Sequence, residues 1–97
     1  MGKSYKRRSE EEFEGTEWIS LDDIHIPEAT VAKLLARDFH QIDEMRQRFE
    51  NGQGTFRVVL HERASGGYYI EDGRHRVIAA KLANAGFVQA EVVGRRG

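Results

Sequence analysis

At 97 residues, with 39% hydrophobic and 32% charged side chains, the chain holds enough material for one hydrophobic core and no more. It contains no cysteine, which excludes a disulfide framework, a thiolate metal site and cysteine nucleophile chemistry. The formal net charge of -1 hides an asymmetry, 10 Lys/Arg against 15 Asp/Glu up to Gly73 and 5 against 1 from Arg74 onward, which argues against general DNA coating and for a local anionic ligand near the end of the chain.

Residues 1–15 read as a solvated charged tail, with Lys3, Lys6, Arg7 and Arg8 followed by Glu10, Glu11 and Glu12. Residues 16–94 read as the single domain, and 95–97 as a frayed end. Trp18-Ile19-Ser20-Leu21 alternates and is β-prone, so it predicts a first strand. Asp22 to Ile26 continues as an extended segment or turn. Pro27 suits the first turn of a helix, with Glu28 near its positive end. Val31, Leu34 and Leu35 make one apolar stripe, and Ile42, Met45 and Phe49 make a second. Together they predict two helices, or one helix broken near His40, stopped at Asn51-Gly52.

Phe56 to His61 predicts a strand, Ala64-Ser65-Gly66-Gly67 a turn and Tyr68 to Glu71 the returning strand of a hairpin. Arg74 to Ala85 predicts a helix with Ile78, Leu82 and Ala85 on one face. Phe87 to Val93 predicts the last strand. Trp18, Phe39, Phe49 and Phe56 are expected in the core. Of Tyr68 and Tyr69, one is expected to face in and one out. The order β-α-α-β-β-α-β implies a small mixed α/β (α+β) domain, a partly open sheet with flanking helices. No apolar run is long enough to span a bilayer and no signal sequence follows the start. A soluble, cytoplasmic protein with no membrane partner is expected.

The chemistry concentrates in Ile70-Glu71-Asp72-Gly73-Arg74-His75-Arg76, where a strand, a glycine turn and a helix start follow one another. A helix N-terminus presents unpaired N–H groups and a partial positive charge. Gly73 lets a ligand oxygen approach the backbone. Arg74 and Arg76 supply guanidinium forks, and His75 can donate to a phosphate oxygen or pass a proton. The result is an anion seat of the kind that takes phosphate. On the residues alone a second reading stays open, a solvated turn whose arginines pair with Glu71 and Asp72. Asp72 also fits the helix N-cap.

The segment from Ile70 to Asn84 resembles the signature of the ParB/sulfiredoxin superfamily, and specifically the ParB N-terminal-like, or ParB-like nuclease, domain. Gly73-Arg74-His75-Arg76 and Ala79-Ala80 resemble the GERR motif and Ala-Ala pair of partition proteins. Gly73, His75 and Arg76 match the GCHR of sulfiredoxins, and Asp72 to Arg76 is close to the DGHHR of stand-alone members. The resemblance extends more weakly over Trp18 to Val93. It implies a domain that binds nucleotide phosphate through Gly73, Arg74, His75 and Arg76. His75, Asp72 and Glu71 would be catalytic if the domain hydrolyses nucleotide, transfers phosphoryl or cleaves a phosphodiester. The alternative is a non-catalytic DNA- or nucleotide-binding module in DNA partition or regulation. Implied partners are ATP or CTP, with DNA and a second copy of the chain as further ones. Mg²⁺ would arrive with the nucleotide, near Glu71 and Asp72. Asp22, Asp23 and Glu28 are weaker candidates for that ion.

The differences from the family are specific. Without cysteine, sulfinic-acid reduction is excluded. Arg74 replaces the glutamate of GERR, Ile78 stands where partition proteins carry the arginine that follows GERR, and Phe56-Arg57-Val58-Val59 lacks the proline usual before the Val-Val strand. The resemblance therefore implies a nucleotide without choosing between ATP and CTP. The sequence ends at Gly97 without a helix-turn-helix domain, so a complete partition protein is not expected. His25, His40 and His61 are scattered without metal-ligand spacing.

Overall fold

Residues 15–52 and 57–94 are described by the structure, a computed structural model. Strand β1 (Glu17–Ser20) leads into a short 3₁₀ turn, Leu21–Asp23, whose first turn is capped by the Ser20 hydroxyl accepting from the Asp22 N–H. Then follow β2 (Ile24–His25), helix α1 (Glu28–Glu50), β3 (Arg57–Glu62), β4 (Tyr68–Asp72), helix α2 (Arg74–Leu82) and β5 (Phe87–Val93). The five strands form one sheet in the order β1-β5-β3-β4-β2. β1 and β5 run antiparallel, β5 and β3 parallel, β3 and β4 antiparallel, and β4 and β2 parallel. The sheet is mixed and flanked by helices, as the sequence predicts.

The extended segment after β1 contains a strand that its sequence does not announce. β2 has only two residues, Ile24 and His25, paired with Tyr68 and Tyr69. Two residues are too few to show alternation. The registers of the larger strands follow their side chains. Ile19 pairs with Val88, Leu60 with Ile70 and Val58 with Ala90, so their side chains meet on one face as a buried cluster. The ladder between β3 and β4 is irregular between Val59 and Leu60. That irregularity lies beside the turn that opens α2, where bulges commonly redirect a strand end.

Helix α2 carries a run of buried residues, Val77-Ile78-Ala79-Ala80. Such a run needs apolar neighbours on two sides. Val77 and Ala80 join the cluster on the sheet. Ile78 and Ala79 join Leu34 and Ile42 of α1. Helix α2 is therefore the middle layer between sheet and α1, and its alanines permit both close approaches. Phe49 and Ile26 pack against both clusters and join them.

Two apolar residues lie outside the core. Phe39 is 52% exposed and Leu82 47% exposed. Leu82 is the last residue of α2, which stops short of Ala85, so no later turn covers it. Trp18 and Phe49 are half-buried, and Phe56 lies outside the described residues. Tyr68 packs partly against the core and Tyr69 is exposed, the split expected of neighbours on a strand. The expected tail and frayed end also lie outside the described residues, apart from Gly15. No described helix is long and apolar enough to cross a membrane.

Helix α1 is one element with its break at Asp38, two residues before the expected position. Asp38 has φ -124° and ψ 36°, outside the helical region. Both halves still contribute to the same cluster, Leu34 from before the break and Ile42 from after it.

Candidate functional site

The site is built where β4 meets α2. Gly73 is the N-cap of α2, with φ 107° and ψ 31°. Its carbonyl accepts from the Val77 N–H at 3.0 Å, closing the first turn. A Cβ at Gly73 would lie 2.9 Å from Val58 Cγ1. Glycine is thus required both by the backbone conformation and by the contact with β3. Asp72 is not the cap: it is the last residue of β4, and no side chain caps α2. The reason is that the chain uses a left-handed glycine to turn from strand to helix, which takes the N-cap position from Asp72. The first N–H groups of α2 consequently have no capping side chain.

These N–H groups border a cleft of about 310 Å³ between the turn and α1. Asp72, Gly73, Arg74, His75 and Arg76 line one side, and Leu34, Arg37, Gln41 and Met45 line the other. Arg74 is exposed, and its side chain has no partner among the described residues. Arg76 is held differently. Its Nη1 donates to the Arg57 carbonyl at 2.7 Å, tying α2 to the start of β3. Arg74 forms no ion pair with Glu71 or Asp72 among the described residues.

Asp38 belongs to this site and was missed from the sequence. His75 Nε2 lies 2.8 Å from Asp38 Oδ2. The same oxygen accepts from Arg37, with Nε at 3.1 Å and Nη2 at 3.0 Å. The hydrogen bond from His75, then that from Arg37, hold the Asp38 carboxyl below the usual carboxylate range. A signal for Asp38 was present. Val31, Leu35, Asp38, Ile42, Met45 and Phe49 recur at steps of four and three, so Asp38 occupies a place in the apolar stripe that faces α2. A carboxylate on such a stripe calls for a partner on the opposite helix, and His75 is that partner.

Arg74 also borders a smaller cleft of about 240 Å³, lined by His25, Ile26, Pro27, Thr30, Tyr69 and Ile70. Asp22 and Asp23 line a separate cleft with Arg63 and Lys81. His61 stacks on Tyr69 with ring centroids 4.9 Å apart, and His40 meets the edge of Phe39. Among the described residues no group of three His, Asp or Glu side chains is placed to hold a metal ion. Asp72 lines the 310 Å³ cleft and Glu71 does not. Neighbouring strand residues point to opposite faces, so the two are poorly placed to share one ion.

The sequence matches no family model and no curated protein. The fold does find a match. The C-terminally truncated chromosome-partitioning protein ParB from Caulobacter crescentus, solved in complex with CTP-gamma-S, aligns with a TM-score of 0.64 at 16% identity. The fold is ParB-like. The alignment covers 84% of this chain and 46% of that one, so the present chain spans less than half of the partition protein. The ParB-like architecture expected from Gly73 to Arg76 is therefore found, carried by a sequence only 16% identical to that neighbour.

Proposed function

We propose that this ParB-like domain binds the phosphates of a nucleoside triphosphate, ATP or CTP, at the turn from Asp72 to Arg76. One observation carries the reading: the uncapped N-terminus of α2 opens into a cleft that Arg37, Arg74 and Arg76 also line. Helix N–H groups and guanidinium forks together are the usual phosphate receptor. The CTP analogue bound by the structural neighbour supports the same ligand class. The smaller cleft across Arg74 is lined chiefly by Ile26, Pro27, Tyr69 and Ile70 and suits a nucleoside. A Mg²⁺ ion that enters with the nucleotide needs only one or two protein carboxylates, and Asp72 is the better placed.

Arg74→Ala tests the site most cleanly, because the side chain supports nothing else among the described residues. Loss of one charge-assisted contact costs about 1.5–3 kcal/mol, roughly ten- to a hundredfold in Kd, with an unchanged melting temperature. Titrations of ATP, CTP, GTP, inorganic tripolyphosphate and a short DNA duplex, followed by backbone amide shifts, identify the ligand. Nucleotide shifts centred on residues 72–76 support the reading. Shifts with DNA alone replace it by a DNA-phosphate module. Unchanged affinity in Arg74→Ala refutes the placement.

A further inference from the structure

The bond between His75 and Asp38 has no role in phosphate binding as described above. We propose that His75 is a phosphoryl acceptor, its Nδ1 taking the terminal phosphoryl group of a bound nucleoside triphosphate while Asp38 acts as the positioning residue. The inference rests on the nucleotide-binding reading and goes beyond it.

Three observations lead there. First, His75 Nε2 lies 2.8 Å from a carboxylate oxygen of Asp38. Which nitrogen of a histidine bears hydrogen is set by the hydrogen bonds its surroundings offer. A carboxylate accepts only, so Nε2 carries the N–H, and in the neutral form of the ring the lone pair stands on Nδ1. Second, Nδ1 has no partner among the described residues. Third, His75 lines the same cleft as Arg37, Arg74 and Arg76, the cationic surroundings that a transferring phosphoryl group requires. A histidine placed only to bind phosphate would point an N–H at the anion. This one gives its N–H to Asp38. Its remaining lone pair repels phosphate oxygens but can attack phosphorus. The arrangement of nucleophile, cation surround and orienting third group is the general form of an activated nucleophile. Asp38 is kept ionised by its two donors and so remains an acceptor.

The step balances without a further reagent. The Nδ1 lone pair forms a bond to the γ-phosphorus. The bond from that phosphorus to its bridging oxygen breaks, and the electron pair leaves on the nucleoside diphosphate. The ring becomes cationic, and Nε2–H donates more strongly to Asp38. Water then adds to phosphorus, the P–N electron pair returns to Nδ1, and inorganic phosphate leaves with both protons of the water.

The test uses the full chain with Mg²⁺ and, in turn, ATP, CTP and GTP labelled at the γ-phosphate. The expected result is a protein-bound label stable in alkali and lost in acid, the signature of a phosphoramidate. His75→Ala and His75→Gln remove the label. The glutamine variant keeps an N–H for Asp38 and guards against a folding loss in the alanine variant. Asp38→Asn slows labelling by about 10-fold or more, as loss of the carboxylate partner of a functional histidine does elsewhere. The same variant shifts the ¹⁵N signals of His75 away from the Nε2–H tautomer, a change that a merely structural role would not produce. Nucleotide binding at residues 72–76 without any label in wild type overturns the acceptor role and leaves the binding site standing. Label that survives in both His75 variants also overturns it. Absence of binding and label together removes both proposals.

Discussion

Replacing Gly73 by alanine probes the turn on which the site depends. The substitution adds one methyl group to a residue at φ 107°. Such a backbone costs a non-glycine residue about 1–3 kcal/mol. The methyl would also sit 2.9 Å from Val58 Cγ1, 3.1 Å from Val58 Cβ and 3.4 Å from Val58 Cα. Val58 is 1% exposed, and its backbone is fixed between two neighbouring strands. It cannot swing away as a surface side chain would. Overpacking of this sort costs about 1–3 kcal/mol more. The combined loss is about 2–6 kcal/mol, a large part of the roughly 5–15 kcal/mol that holds a domain together. For a domain of this size the melting temperature falls by about 8 °C or more. Urea denaturation of wild type, Gly73→Ala, Val58→Ala and the double variant separates the two causes. Shortening Val58 relieves the contact but not the backbone strain, so the cycle should show about 1–3 kcal/mol of favourable coupling. A loss below about 1 kcal/mol in Gly73→Ala, or a strictly additive cycle, would refute the reasoning.

Two further predictions concern the helices. Ile42 is wholly buried between α1 and α2, so Ile42→Ala should destabilise by about 2–5 kcal/mol in the same denaturation assay. Nucleotide affinity should fall with it only where the fold fails. The Asp38 carboxyl lies below its ordinary value of 3.8 because His75 and Arg37 donate to it. The folded protein thus binds this proton less tightly than the unfolded chain. The stabilisation from Asp38 is complete above the ordinary value and disappears as pH falls through the lower, folded value. Melting temperatures measured from pH 6 downward should fall less steeply in Asp38→Asn than in wild type below about pH 4. Parallel curves would show that the bonds to Asp38 do not stabilise the native state.

Much of the architecture was legible from local pattern alone. β5 lies where alternation predicts it, from Phe87 to Val93. The hairpin of β3 and β4 lies around the Gly66-Gly67 turn, and the strand–glycine–helix junction falls at Gly73. Period-two strands, period-3.6 helices and left-handed glycines are properties of neighbouring residues, so sequence carries them. The two-residue strand β2 was not legible, because its identity comes from Tyr68 and Tyr69, more than forty positions away.

The candidate site divides along the same line. Gly73, Arg74, His75 and Arg76 are contiguous, and their residue types by themselves point to an anion seat. What Gly73 contacts, what Arg76 holds and which residue takes the N-cap depend on β3 crossing beside the turn. Asp38 lies 37 positions from His75. Only the packing of α1 onto α2 turns an acidic residue on an apolar stripe into the partner of an imidazole. Sequence alone determined which groups could meet an anion, because local chemistry is written in adjacent residues. The tertiary fold decided which of them are already engaged and which remain open, because that depends on neighbours distant in the chain.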